Sequence, residues 1–134
     1  KASEYVKLFS HPQSHLQFPR ERLAAWVNDP AFKTRQQQAM DNSSLNGMLN
    51  YYRVNWPTPP CRQHAAPPPK VHAPTLLMHG LQDPYALPAG LNDVWQWVDN
   101  ELDIYTLPEA AHFIQHDHAP AVTARLQQWL ARRG

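Results

Sequence analysis

The chain has 134 residues, 43% of them hydrophobic, and a formal net charge of +1. That is enough for a small packed domain, with no charge excess that would favour nucleic acid or an acidic surface. No apolar run approaches the roughly 20 residues that span a bilayer, so neither nucleic acid nor a membrane is an expected partner.

Residues 1–56 read as short helices. Tyr5, Leu8 and Phe9 follow the i, i+3, i+4 pattern of the first. Pro19 opens a second, whose apolar stripe is Leu23, Trp26 and Val27 and which Asp29-Pro30 ends. Phe32, Ala39 and Met40 mark a third with a weaker face. Leu45, Met48, Leu49 and Tyr52 form a fourth, with Ser43 or Ser44 as its cap. Helices without strands suggest a lid. Residues 57–69 form a proline-rich connector holding six of the 14 prolines, which together are about twice the usual share. The single cysteine, Cys61, sits in this connector. It permits no internal disulfide and points to a reducing, cytoplasmic setting.

Residues 70–134 change pattern. Val71 to Met78 reads as a buried strand. Leu91, Val94, Trp95 and Val98 mark an amphipathic helix, and Leu102 to Leu107 a second strand. Val122, Leu126, Trp129 and Leu130 mark a final helix, begun near Pro120 and ended by Gly134. Strand–helix–strand–helix implies parallel strands. Two parallel strands are not an independent sheet, so the segment calls for further strands, from a missing upstream part of its own chain or from a partner. The start at Lys1-Ala2-Ser3, without an initiator Met, fits a missing N-terminal half.

Two titratable residues sit where the strands end. Asp83 follows the first, in Met78-His79-Gly80-Leu81-Gln82-Asp83-Pro84. His112 follows the second, in Leu107-Pro108-Glu109-Ala110-Ala111-His112-Phe113-Ile114-Gln115. A strand ending in an acid, a strand ending in histidine and a closing helix make the back half of a hydrolase triad. Asp99 and Asp103 are poorer acids because they do not end the strand, and Asp-Pro at 83–84 also has the form of a turn. His112, His116 and His118 invite a metal reading, but Phe113-Ile114-Gln115 belongs to a loop, and neither metal nor cofactor is expected. No G-x-S-x-G or G-x-D-x-G elbow occurs anywhere in the sequence, so these residues alone would lack a nucleophile.

The same residues resemble the α/β-hydrolase superfamily, and within it the epoxide hydrolases. The likeness covers nearly the whole chain and corresponds to the end of the helical cap and the last two core strands. Pro74-Thr75-Leu76-Leu77-Met78-His79-Gly80-Leu81-Gln82-Asp83 is similar to the strand that ends in the triad acid. Ala111-His112-Phe113-Ile114-Gln115 with Ala119-Pro120 is similar to the terminal histidine motif, with Ala111 standing where the family usually has Gly. Leu49-Asn50-Tyr51-Tyr52-Arg53 resembles the cap motif that carries a tyrosine, the second of the pair. Ser3-Glu4-Tyr5-Val6-Lys7-Leu8-Phe9 resembles the segment that supplies the other.

The resemblance implies an α/β fold and a two-step opening of a small epoxide or related electrophile. An upstream aspartate attacks ring carbon to form an ester. Tyr52 and Tyr5 donate protons to the opened oxygen, a phenol of pKa about 10 being neutral at pH 7. His112 activates the water that hydrolyses the ester, held by Asp83. Tyr51, about 100° round its helix from Tyr52, is a packing residue. The sequence leaves other readings open: a haloalkane or haloacid dehalogenase, a serine ester or C–C hydrolase on the same scaffold, or a non-catalytic interaction module whose exposed apolar faces dimerise.

Overall fold

A computed structural model describes residues 4–56 and 67–134. The connector at 57–66, with Cys61 and His64, and residues 1–3 lie outside the described residues. Contacts divide the chain into two compact units, with the change at Gln63–His64.

The first unit is helical. Its α-helices are α1 (Glu4–Ser10), α2 (Ser14–Gln17), α3 (Pro30–Asp41) and α4 (Leu45–Asn55). Two start signals written in the sequence operate. The Asp29 side chain accepts from the Phe32 N–H at 2.6 Å, with Pro30 in the first turn, where its missing N–H costs nothing. Ser44, rather than Ser43, caps α4 by accepting from the Gly47 N–H at 3.1 Å. The buried apolar residues here are Val6, Ala24, Val27, Leu45 and Leu49. Leu45 and Leu49, four apart and so on one face of α4, each contribute about 1.5–3 kcal/mol by leaving water.

The segment after Pro19 differs from the expected α-helix. Arg20–Ala24 is a 3-10 helix with Pro19 as its N-cap, held by i to i+3 bonds such as Arg22 N–H to Pro19 O at 3.1 Å. It is too short to offset the cost of helix nucleation. Asp29-Pro30 opens α3 instead of closing this segment. The single turn α2 was not legible in the periodicity. It is fastened by the buried Ser14, whose hydroxyl donates to Phe9 O at 3.1 Å. Arg53 of α4 reaches Ser14 Oγ at 3.4 Å and Asn46 Oδ1 at 2.7 Å.

The second unit holds β1 (Thr75–Gly80) and β2 (Leu102–Leu107), paired in parallel from Thr75 opposite Leu102 to Gly80 opposite Leu107. It ends in α5 (Ile114–Asp117) and α6 (Ala119–Ala131). Val71, expected within the first strand, forms only an isolated bridge to Val98; Pro74 stands between and has no N–H to give a ladder. The expected helix at 91–98 is replaced by two 3-10 turns, Pro88–Leu91 and Val94–Trp97. Asp93 between them has a left-handed φ of 59°, which interrupts any continuous helix, and Gly90 and Asn92 are poor helix formers.

The start of β2 and the C-terminal segment through and just beyond α6 are tied together by charge. Asp103 meets Arg125 at 3.6 Å and also Arg132, and Glu101 meets Arg133. Among the described residues of this unit Ala110 is the one fully buried hydrophobic side chain, while Ile104, Leu126 and Leu130 are 40–52% exposed. Parallel strands are ordinarily covered on both faces; these two are covered only in part. No helix among the described residues is long and apolar enough to cross a membrane.

Ser44→Ala removes one cap bond and is expected to lower stability by about 1 kcal/mol. A urea titration followed by circular dichroism measures it.

Candidate active site

The parallel ladder sends two chain tails out at the same end. Beyond Gly80 and Leu107 they stay in contact through the backbone. The Leu81 N–H donates to Leu107 O at 3.0 Å and the Gln82 N–H to Ala110 O at 2.9 Å. This closeness requires glycine at position 80. A Cβ there would fall on the carbonyl oxygen of Ala111 and lie 2.5 Å from that of Ala110. Neither obstacle is a side-chain tip that could swing aside.

On this platform Asp83 and His112 meet. His112 Nδ1 lies 2.7 Å from Asp83 Oδ2. The other carboxylate oxygen, Oδ1, accepts from the N–H groups of Tyr85 at 2.8 Å and Ala86 at 2.9 Å. The two readings of Asp83 in the sequence, turn residue and histidine partner, are therefore both true of the one side chain. Asp83 is 6% exposed. Burial by itself raises its pKa, but the bond to His112, the two backbone N–H donors and the nearby imidazole outweigh it and hold the carboxyl below the usual carboxylate range. With Nδ1 committed to a carboxylate, Nε2 is the nitrogen left to take a proton.

Asp99 and Asp103 are engaged elsewhere. Asp99 lies 3.7 Å from Lys70 and 3.8 Å from His72, and Asp103 meets Arg125 of α6 and Arg132 just beyond it. Three contributors to the pair were not singled out in the sequence. Gly80 gives no signal beyond its place at a strand end. Tyr85 packs edge-on against the His112 ring at 5.2 Å, and Phe113 does so at 4.8 Å. The Asp-Pro turn could have pointed to residue 85, since such turns place the next N–H groups on the aspartate oxygen.

Tyr5 and Tyr52 lie together in the helical unit, with ring centroids 6.0 Å apart and planes at 84°. Phe9 touches both, at 5.4 Å and 5.0 Å, and Phe18 closes the cluster. All these contacts are edge-to-face, the arrangement ring quadrupoles favour. Burial pushes the Tyr52 phenol pKa up, and the neighbouring Tyr5 and Tyr51 add to the rise, so Tyr52 is a neutral donor at pH 7. Tyr51 is 67% exposed and so is less of a packing residue than its helical position suggested.

Two outcomes follow from the geometry. Gly80→Ala must part the two tails, costing about 1–3 kcal/mol and breaking the Asp83–His112 bond; loss of the His112 Nδ1–H resonance in proton NMR reports it. Asp83→Asn is expected to cost about 1–3 kcal/mol at neutral pH. Because the folded pKa of Asp83 is lowered, its contribution is complete above the ordinary carboxylate range and is lost as pH falls through the lower, folded value. Urea midpoints taken from pH 7 down to pH 3 should fall less steeply in the variant than in the parent.

No family model matches the chain, and no curated protein does. Solved structures do. A point mutant of an epoxide hydrolase from Bacillus megaterium superposes with a TM-score of 0.78 at 26% identity, over 97% of this chain and 51% of that one. A Bacillus megaterium epoxide hydrolase in complex with an inhibitor gives 0.77 at 24% identity, over 97% and 51%. A structure described under novel epoxide hydrolases from metagenomes of hot environments gives 0.71 at 23% identity, over 96% and 50%. The latter two speak to the fold alone. The chain thus spans about half the length of these enzymes. Its parallel strands and flanking helices are part of an α/β-hydrolase fold, and the solved structures it resembles are epoxide hydrolases.

Proposed function

We propose that the 134 residues are the portion of an α/β-hydrolase that supplies the base, its orienting acid and the proton donors for opening an epoxide to a diol. The observation that carries this reading is the Asp83–His112 bond of 2.7 Å at the ends of two parallel strands. It supports a hydrolytic step in which Nε2 removes a proton from water. The neutral, partly buried Tyr52 beside Tyr5 supports the epoxide as the electrophile, because an opening ring needs a proton where a departing halide does not.

The reaction runs in two steps. A carboxylate from residues outside this sequence attacks an epoxide carbon. The ring C–O bond breaks and the oxygen takes the proton of a tyrosine hydroxyl. Water then loses its proton to His112 Nε2 as its oxygen attacks the ester carbonyl. Collapse expels the diol oxygen, which takes that proton from the imidazolium and leaves a carboxylic acid, and the acid ionises to regenerate the carboxylate. Asp83 remains ionised throughout and steadies the imidazolium. The proton that the acid releases is matched by the one that the tyrosinate regains, exchanged through solvent.

Tyr52→Phe in the complete protein keeps the ring and removes the proton. It is expected to slow single-turnover ester formation from an aryl glycidyl ether by roughly 10²-fold, leaving ester hydrolysis unchanged. Unaltered ring opening would remove Tyr52 from the mechanism. A parent that releases halide from a haloalkane, unchanged in the Tyr52→Phe variant, would move the reading to the dehalogenases.

A further inference from the structure

His112 is exposed, with 40% of its side-chain surface open, while its partner Asp83 is 5% open. Burial does not fix an imidazole this exposed; its bond to Asp83 and its ring neighbours do. A half-turn of the ring would exchange Nδ1 for carbon and break the bond to Asp83. Something other than burial must hold it, and the neighbouring rings are those of Tyr85 and Phe113.

Phe113 is adjacent in sequence and moves with the same loop. Tyr85 is different, because it comes from the tail of β1 and touches both members of the pair. Its backbone N–H donates to Asp83 Oδ1 at 2.8 Å, which orients the carboxylate so that Oδ2 meets the imidazole. Its ring meets the imidazole edge-on at 5.2 Å and 74°. The acid is thus aimed by the main chain of the residue whose side chain restrains the base.

We infer that Tyr85 is a positioning residue for His112, its ring keeping the imidazole in the one orientation that bonds Asp83 and leaves Nε2 for water. This role rests on the proposed hydrolytic use of His112 for its kinetic consequence, but not for its structural one. The contact with the imidazole is made by the ring, so the restraint calls for an aromatic side chain at position 85.

The test compares Tyr85→Phe and Tyr85→Leu in the complete protein. Both keep the backbone N–H, and Tyr85 is 49% exposed, so neither substitution empties a core. The first readout is solvent exchange of the His112 Nδ1 proton by NMR. Exchange within twofold of the parent in the Phe variant, and at least tenfold faster in the Leu variant, is the expected result. Equal exchange in parent and Leu variant, or equally fast exchange in both variants, overturns the role. The second readout is kinetic. Slower ester hydrolysis in the Leu variant lowers kcat and KM together and leaves kcat/KM unchanged, with recovery in the Phe variant. A parent protein that turns over no epoxide would defeat the proposed function, while proton exchange would still decide the role of Tyr85.

Discussion

Everything in the second unit is arranged around one close approach, the meeting of two chain tails at Gly80. The strands run parallel, so both tails leave on the same side. The absence of a single Cβ lets the main chain of 110–111 settle against the end of β1. From that contact come the cross-tail hydrogen bonds and the burial of Ala110 and Asp83. The bond between a buried carboxylate and an exposed imidazole follows from them. A carboxylate out of water is costly unless its oxygens are occupied. Here two backbone N–H groups and one imidazole occupy them, and the group stays charged.

The two units treat their titratable groups in opposite ways. In the helical unit, rings and burial favour the uncharged form of Tyr52. In the strand unit, donors favour the charged form of Asp83. Moving a phenol up and a carboxyl down leaves the first neutral and the second ionised at the same pH. Neither shift needs an ion or cofactor, since each arises from the side chains and amides already described.

Much of this was legible in the sequence where periodicity and punctuation agree. β2 falls on Leu102–Leu107 as read, and α6 begins beside Pro120 where a proline belongs. The cap at Ser44 was one of two adjacent candidates. The meeting of Asp83 with His112 was legible because both follow strands of a recognisable pattern. What was misread shares a cause. At 91–98 apolar spacing suggested a helix, yet Asp93 adopts a left-handed conformation that no hydrophobic pattern encodes. After Pro19 the stripe was present but the segment was too short for an α-helix. Gly80 and Tyr85 were missed because their importance is a distance to a loop about 30 residues away, and a sequence read along its length carries no such distance.

The charge tie between the start of β2 and the segment through and just beyond α6 bears on all of this from the far end of the strand. Glu101 and Asp103 are tied to Arg133, Arg125 and Arg132 at the point where β2 begins, while His112 follows the point where it ends. A slip of β2 past β1 by two residues would preserve which side chains face which way. It would also carry the imidazole about 6–7 Å along the strand axis, more than twice the length of its bond to Asp83. With the last helix held in place, such a slip would pull both carboxylates away from their guanidinium partners. Arg125 of the last helix, with Arg132 and Arg133 just beyond it, therefore opposes that slip from a distance, since none of the three is a partner of the histidine.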